Sequence, residues 1–284
     1  MRSGRNPNTK MRADVNVSPV QIGVVTHLPN LDGYHSQRLE VVQACLTTMR
    51  ARAGVNHIFT VWDNGSCREF RDWLKDFNPD ILILSNNVGK TNGRTSLYRM
   101  CPPDTIFCYS DDDILYYDNW LAPQIELLEH FPDVACVTGY PVRTAFRWAT
   151  ENTRKWAELN GDVRFGKFIP KEWEDDFAIS LGRTTEFQEQ YTVNDLDYQV
   201  DYKGKTAYLT SHHCQFIGYT NRISPAFIYD DLAMADEKPF DYAMDRIGLR
   251  LATTQRLSRH IGNVMDDKLK SEAILKESVL WQLA

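Results

Sequence analysis

A chain of 284 residues with 43% hydrophobic content is long enough for one large domain, or for a domain with a subdomain. Its net charge of −6 argues against a general nucleic-acid binder, whose footprint is basic. No run approaches the ~18 apolar residues of a membrane span. Residues 1–18 are polar and basic without an apolar stretch, which predicts a loosely ordered leader and not a secretory signal.

In chain order, residues 20–26 read as a strand and 27–33 as a loop. Leu39, Val42, Leu46 and Met49 then mark a helix over 36–52. Residues 56–62 read as a strand, Phe70 to Phe77 as a helix, 80–84 as a strand and 95–100 as a short helix stopped by Pro102 and Pro103. An apolar strand at 105–109, a helix near 120–129 and a strand at 133–138 complete a βαβαβαβαβ alternation. Short connections in such a pattern predict an α/β, Rossmann-like, mostly parallel sheet with helices on both faces. The first four strands end in Thr26, in Asp63, in Asn86 and Asn87, and in Asp111 to Asp113. Four polar ends on one sheet edge fit a binding crevice better than packing.

No strand–helix rhythm is legible between residues 140 and 205, which are rich in charge and aromatics such as Trp148, Trp156 and Trp173. Those rings suit either sugar faces or a subdomain core, and core closure is the expectation for most of them. Beyond them, a hairpin over 198–208 turns at Lys203 and Gly204. Strands at 212–218 and 249–254, a helix at 239–247, a loop at 256–263 and a last helix at 268–283 follow. The cysteines at 45, 67, 101, 108, 136 and 214 form no CxxC pair. They read as buried thiols of a reducing compartment, so the chain is expected in the cytoplasm, free or peripheral at the inner face of a membrane.

Asp111, Asp112 and Asp113 close the fourth strand. Three adjacent carboxylates repel one another, and burying them unpaired is costly. The usual relief is a bound cation, and oxygen ligands suit Mg²⁺ or Mn²⁺ over Zn²⁺. Such ions commonly combine one or two carboxylates with substrate phosphates, so a metal holding a phosphorylated ligand is expected here. The competing reading is a solvated acidic turn. Asp63, followed by Asn64, Gly65 and Ser66, can accept from a nucleobase N–H or simply form a capped turn. Asn87 to Arg94 is Gly-rich and basic, and Lys90 with Arg94 can meet a phosphate or ribose. His260 can complete a site begun by Asp113 or be merely structural. His212 and His213, facing opposite sides of a strand, are not expected to share a metal. Asp236, Glu237, Asp241 and Asp245 surround a late helix start, where a carboxylate can act as general base or complement the helix dipole.

Together these parts resemble the inverting glycosyltransferases of family 2 on the GT-A fold. The likeness rests on Asp63 to Ser66, Asn86 to Gly89, strand–DDD–helix with Trp120 and Leu121, Phe240 to Leu251 and His260 to Asn263. It spans about residues 20–140 and 207–263. It implies a nucleotide-sugar-binding half over 19–140, an acceptor half with the catalytic carboxylates over 141–265, and a C-terminal helix over 266–284. Thr26, Asp63, Asn87 and Asp111 would bind the nucleoside of a nucleoside-diphosphate sugar, with Lys90, Arg94 and Asp112 also on the donor. Asp113, with Asp111, would ligate Mn²⁺ or Mg²⁺ at the diphosphate, assisted by His260. The base would deprotonate a hydroxyl of a glycan, lipid-linked or small-molecule acceptor. The family's usual Glu-Asp order is here Asp236 then Glu237, which leaves Glu237 or Asp241 as the base, with Asp236 behind them. A sugar nucleotidyltransferase needs a Gly-rich, basic signature after the first strand, where this chain has HLPNLDG. A non-catalytic nucleotide-sugar or glycan-binding module would bind without turnover, and the late carboxylates argue against it.

Overall fold

The computed structural model describes residues 18–228 and 237–274. The expected leader to residue 17, Asp236 and the expected helix beyond residue 274 lie outside them. The first half runs β1 (Val20–Thr26), α1 (Arg38–Ala51), β2 (Ile58–Asn64), α2 (Arg68–Phe77), β3 (Ile81–Ser85), α3 (Lys90–Met100), β4 (Ile106–Ser110), β5 (Ile114–Tyr116), α4 (Ala122–His130) and β6 (Val134–Thr138). It continues through α5 (Glu151–Asn160), β7 (Asp162–Gly166), α6 (Lys171–Ser180), α7 (Thr185–Tyr191), β8 (Asp197–Tyr202), β9 (Lys205–Tyr208), β10 (Gln215–Tyr219) and α8 (Thr220–Ile223). After the undescribed stretch come α9 (Lys238–Ile247), β11 (Leu249–Ala252), β12 (Ser258–His260) and α10 (Asp267–Ala273).

One ten-stranded sheet has the order β3-β2-β1-β4-β10-β6-β11-β9-β8-β7. Strands β3, β2, β1 and β4 are mutually parallel, so their C-terminal ends share one edge as expected. β10 comes from far downstream and inserts antiparallel between β4 and β6. β11 lies parallel to β6, and the β9, β8 and β7 ladder extends the far side antiparallel. A small second sheet pairs β12 with β5.

The sheet centre is apolar because β1, β4 and β6 are buried on both faces. Their runs of Val, Ile, Phe and Cys therefore lack polar alternation. Ile22, Val24, Val61, Cys108 and Trp120 belong to the main core with α1 and α2. Phe107, Tyr109, Phe216 and Phe240 form a second core on the opposite face. Each fully buried large apolar side chain stabilises the fold by ~1.5–3 kcal/mol.

Several boundaries depart from expectation. α3 starts at Lys90, not at Thr95, because Gly93 lets the helix approach β1 closely. A Cβ there would sit 3.0 Å from a Val25 methyl. The stretch from 140 to 205, where no rhythm was legible, holds three helices and strands β7 and β8, built from short, mostly polar segments. The expected loop at 256–263 contains β12, whose pairing with β5 is non-local. The strand expected from His212 begins at Gln215. All six cysteines are free, and Cys45, Cys108 and Cys136 are buried as expected. Trp148, Trp156 and Trp173 pack partly buried against the main core. Among the described residues no helix is long and apolar enough to cross a membrane.

Candidate active site

The turn from β4 to β5 consists of Asp111, Asp112 and Asp113, and its backbone is pinned from two sides. Asp111 N–H donates to Cys214 O at 2.8 Å, just before β10, and Asp113 O accepts from Ile261 N–H at 2.8 Å, just after β12. The turn forms the floor of a cavity of about 220 Å³ also lined by Val25, His27, Arg38, Asn64, Asn87 and Lys90. The three carboxylates thus face one crevice with Asn87, and do not project into open solvent.

Much of their mutual repulsion is relieved by the protein's own cations. Arg38, at the start of α1, is buried and donates from Nη2 to Asp112 Oδ1 at 2.5 Å and from Nη1 to Asp113 Oδ2 at 3.2 Å. The same Nη1 lies 3.3 Å from Gly262 O and from Asn263 Oδ1, so one guanidinium ties α1, the acidic turn and the turn after β12 together. Burial pushes the Asp112 carboxyl up against the pull of Arg38. Lys90 Nζ reaches Asp111 Oδ1 at 2.8 Å, and Tyr109 OH donates to the same oxygen at 3.0 Å. Burial opposes the ionised form of Asp111, but Lys90 outweighs it and holds the carboxyl below the usual range. Lys90 is likewise held well above its ordinary value, against burial, by Asp111, Tyr109 and Glu237.

Asp113 has a different second neighbour. His260 Nε2 stands 3.6 Å from Asp113 Oδ1. Ser180 spends its proton on Phe177 O at 2.7 Å, so its Oγ accepts from His260 Nδ1–H at 2.8 Å. With Nδ1 so engaged, Nε2 is the ring atom that faces the Asp113 carboxylate. Asp113 and His260 would offer an oxygen and a nitrogen to a cation, and the ring is already fixed by an outer partner in the manner of metal-bound histidines. Among the described residues no three His, Cys, Asp or Glu side chains could hold a metal by themselves. An oxygen and a nitrogen donor completed by substrate phosphates nevertheless suit Mg²⁺ or Mn²⁺. A second cavity, of about 640 Å³, opens from Asp113 and His260 along α6.

On the other side of the turn lies a network that sequence reasoning did not anticipate. Glu237, immediately before α9, pairs with Lys90 at 3.0 Å, Arg94 at 2.8 Å and His213 Nε2 at 3.2 Å. His213 Nδ1 lies 2.9 Å from Asp241 Oδ2. With a carboxylate at each nitrogen, both must donate, so the ring is an imidazolium. Burial opposes that charge, but Cys214 and Asp241 hold His213 well above its ordinary value. Asp241 also receives Arg250 Nη2 at 2.6 Å and Trp148 Nε1 at 3.1 Å. Burial disfavours its ionised form, yet Arg250 and His213 bring it down to about 2.

The expected donor-side residues divide. Asn87 and Lys90 line the crevice. Asn87 Oδ1 accepts from Asn64 Nδ2 at 3.1 Å and from Gly89 N–H at 2.9 Å. Arg94 is buried beneath it, against the Tyr109 and Phe240 rings. Thr26 is buried with its hydroxyl directed at Trp62 O, while its neighbours Val25 and His27 line the cavity. Asp63 is buried and occupied by Arg71 Nε at 2.7 Å and Ser66 N–H at 3.2 Å, so the turn reading describes its contacts. In sequence, His213 is weighed only as half of a metal-binding pair, and Arg38 is given no role, because the partners of both are remote in the chain. The only local signal was a charged residue opening the first helix and a histidine pair opening a strand.

The profile of glycosyl transferase family 2 matches residues 35–189. No curated protein matches in sequence. Solved structures that match this chain include the following three. GalNAc-T7 with UDP, GalNAc and Mn²⁺ is 14% identical over 87% of this chain and 44% of its own, with a TM-score of 0.48. Residues 1–349 of TarS from S. aureus are 11% identical over 93% and 68%, with a TM-score of 0.49. A mannosyltransferase from Pyrobaculum calidifontis with GDP-mannose and Mn²⁺ is 19% identical over 49% and 41%, with a TM-score of 0.34. The chain thus spans less than half the length of the first and the last of these.

Proposed function

The chain belongs to glycosyl transferase family 2, on the GT-A fold, and from that membership we propose that it moves a sugar from a nucleoside-diphosphate donor to an acceptor hydroxyl with inversion. The observation that carries the reading is Asp113, which lines one cavity with Asn87 and Lys90 and a second with His260, 3.6 Å away. Asp113 and His260 would hold Mn²⁺ or Mg²⁺. That cation, when bound, would neutralise charge on the departing diphosphate. Asn87 and Lys90 take the nucleotide side of the donor, with Val25 and His27 at the end of β1.

Glu237 is the base in this proposal. Its side chain is 16% exposed and touches the crevice through Lys90, whereas the Asp241 side chain is 2% exposed and saturated by Arg250, His213 and Trp148. Asp241 anchors His213, and His213 orients Glu237. An incoming diphosphate offers Lys90 another anion and loosens its hold on Glu237, which the buried Arg94 and His213 keep in position. The acceptor O–H gives its proton to the Glu237 carboxylate, and its oxygen bonds the anomeric carbon. The bond from that carbon to the diphosphate oxygen breaks on the opposite face.

Thermal-shift titration with nucleoside diphosphates, with and without Mn²⁺, tests the reading, since a ligand that binds only the folded state raises its melting temperature. The expected result is a shift that needs the metal and disappears in Asp113→Ala. A shift of the same size in that variant would remove the basis of the proposal. Glu237→Gln should keep the shift and lose transfer by about 10²–10⁴-fold.

A further inference from the structure

Asp63, expected to meet a nucleobase, is wholly buried, is held by Arg71 and Ser66, and does not line the crevice. The next residue, Asn64, is the hub of a different arrangement. Its carbonyl accepts from His27 Nδ1–H at 2.9 Å, its Nδ2 donates to Asn87 Oδ1 at 3.1 Å, and its Oδ1 accepts from Val88 N–H at 2.8 Å. Backbone donors fix which way both amides face. Val88 N–H selects the oxygen of Asn64, and Gly89 N–H, at 2.9 Å, selects that of Asn87. Gly65 makes the junction possible: it has φ +87°, and a Cβ there would lie 2.7 Å from Asn87 N. The β2 turn and the Asn87 loop therefore meet with no side chain between them.

Two polar atoms of this arrangement are left over, both on residues that line the crevice. His27 Nε2 has no hydrogen-bond partner among the described residues and keeps accessible surface. With Nδ1–H given to Asn64 O, Nε2 of the neutral ring is an acceptor. Asn87 is exposed, and its Nδ2 is a donor with no partner among the described residues. Asn64 thus holds one acceptor and one donor in fixed planes. A heterocycle edge, whose own donors and acceptors are equally fixed, is the complement of such a pair. A hydroxyl can rotate to suit either atom and needs no hub. The sheet places the pair on the nucleoside side of the ligand. Strands β4, β1, β2 and β3 lie side by side at about 4.8 Å spacing. The acidic turn closes β4, whereas His27 follows β1 and leans onto the end of β2, and Asn87 follows β3. A ligand with its diphosphate at the acidic turn carries its nucleoside across those neighbouring strand ends.

We propose that His27 and Asn87, oriented by Asn64, read the base of the nucleoside diphosphate, while Asp63 only holds the β2 turn. This rests on the transferase reading above and names the residues that set its base specificity. The probes are UDP, GDP, ADP, CDP and inorganic pyrophosphate, each titrated calorimetrically into the whole chain with Mn²⁺. The wild type should bind pyrophosphate and should prefer one base over the others by at least about tenfold. His27→Ala should weaken the preferred nucleotide by about 3–10-fold, narrow the preference and leave pyrophosphate unchanged. Asn87→Ala, at an exposed position, should do the same and decides the matter if His27→Ala does not fold. A preference retained in both variants overturns the inference. Pyrophosphate weakened as much as the nucleotide would make these residues diphosphate contacts and also overturn it. Equal binding of all four nucleotides by the wild type, with Mn²⁺ dependence kept, overturns base reading and leaves the transferase reading standing. No binding of any probe to the wild type would sink that reading itself.

Discussion

Arg250 and Arg38 show how single side chains set this site. Arg250 is wholly buried and donates to Asp241 Oδ1 and Ser211 O, each at 2.6 Å. Truncating one partner of a buried ion pair leaves an uncompensated charge. Arg250→Ala should therefore destabilise the chain by roughly 3–5 kcal/mol in urea unfolding. A loss below ~1 kcal/mol would mean that Asp241 is not held as an ionised partner. Arg38 works on the acidic turn from outside the donor set. Arg38→Lys keeps the charge but cannot span Asp112 and Asp113 with a planar fork. Its fold should survive, and apparent Mn²⁺ affinity in the presence of a nucleoside diphosphate should fall by roughly 10–100-fold, as for other outer partners of metal ligands. Unchanged affinity would show that Arg38 only neutralises the turn.

At the level of elements, the site is assembled by close approaches between segments far apart in sequence. The turn after β12 passes so near α6 that a Cβ on Gly262 would lie 2.2 Å from Ser180 O, and Gly262 has φ +80°. That turn carries the Gly262 carbonyl used by Arg38 and follows directly on His260, itself held by Ser180. Gly262→Ala should strain the backbone by about 1–3 kcal/mol and move both contacts. A lowered melting temperature together with a weakened metal response is the expected pair of readouts. A wild-type metal response in a destabilised variant would uncouple the turn from the site. Helix α3 shows what sequence could and could not read. Its basic start at Lys90 and Arg94 was visible, but its first turn looked like loop because Asn92 and Gly93 are poor helix formers. Only the packing of Gly93 against Val25 and Trp62 makes helix there favourable.

For the whole molecule, two buried groups, His212 and Asp241, contribute to the acid limb of stability in separate pH windows. Burial, reinforced by the His213 charge, brings His212 from 6.5 down to about 3. Its Nε2 points at Tyr140 O while Nδ1 has no partner, consistent with a neutral ring. Below pH 6.5 the unfolded chain takes up a proton that folded His212 refuses, so stability drains as pH falls through that window. Asp241, depressed from 3.8 to about 2, loses its stabilising contribution lower still, as pH falls between those values. His213 has the opposite sign: its contribution is complete below 6.5 and is lost as pH rises through its raised value. Urea unfolding at several pH values should show His212→Gln losing less stability than the wild type between pH 6.5 and about 4. Parallel curves would assign the acid limb to other groups.

The sequence by itself determined the parallel block, the polar ends of its first four strands and the acidic turn, because apolar runs and strand-end charges are local signals that short windows carry. It also narrowed the late carboxylates without choosing among them. Tertiary structure decided the insertion of β10 between β4 and β6, the reach of Arg38 to Asp112 and Asp113, and the contrast between buried Asp241 and accessible Glu237. Each of these depends on contacts between residues tens to hundreds of positions apart. A residue type states which bonds a side chain can make, and only the fold supplies the partner that completes them.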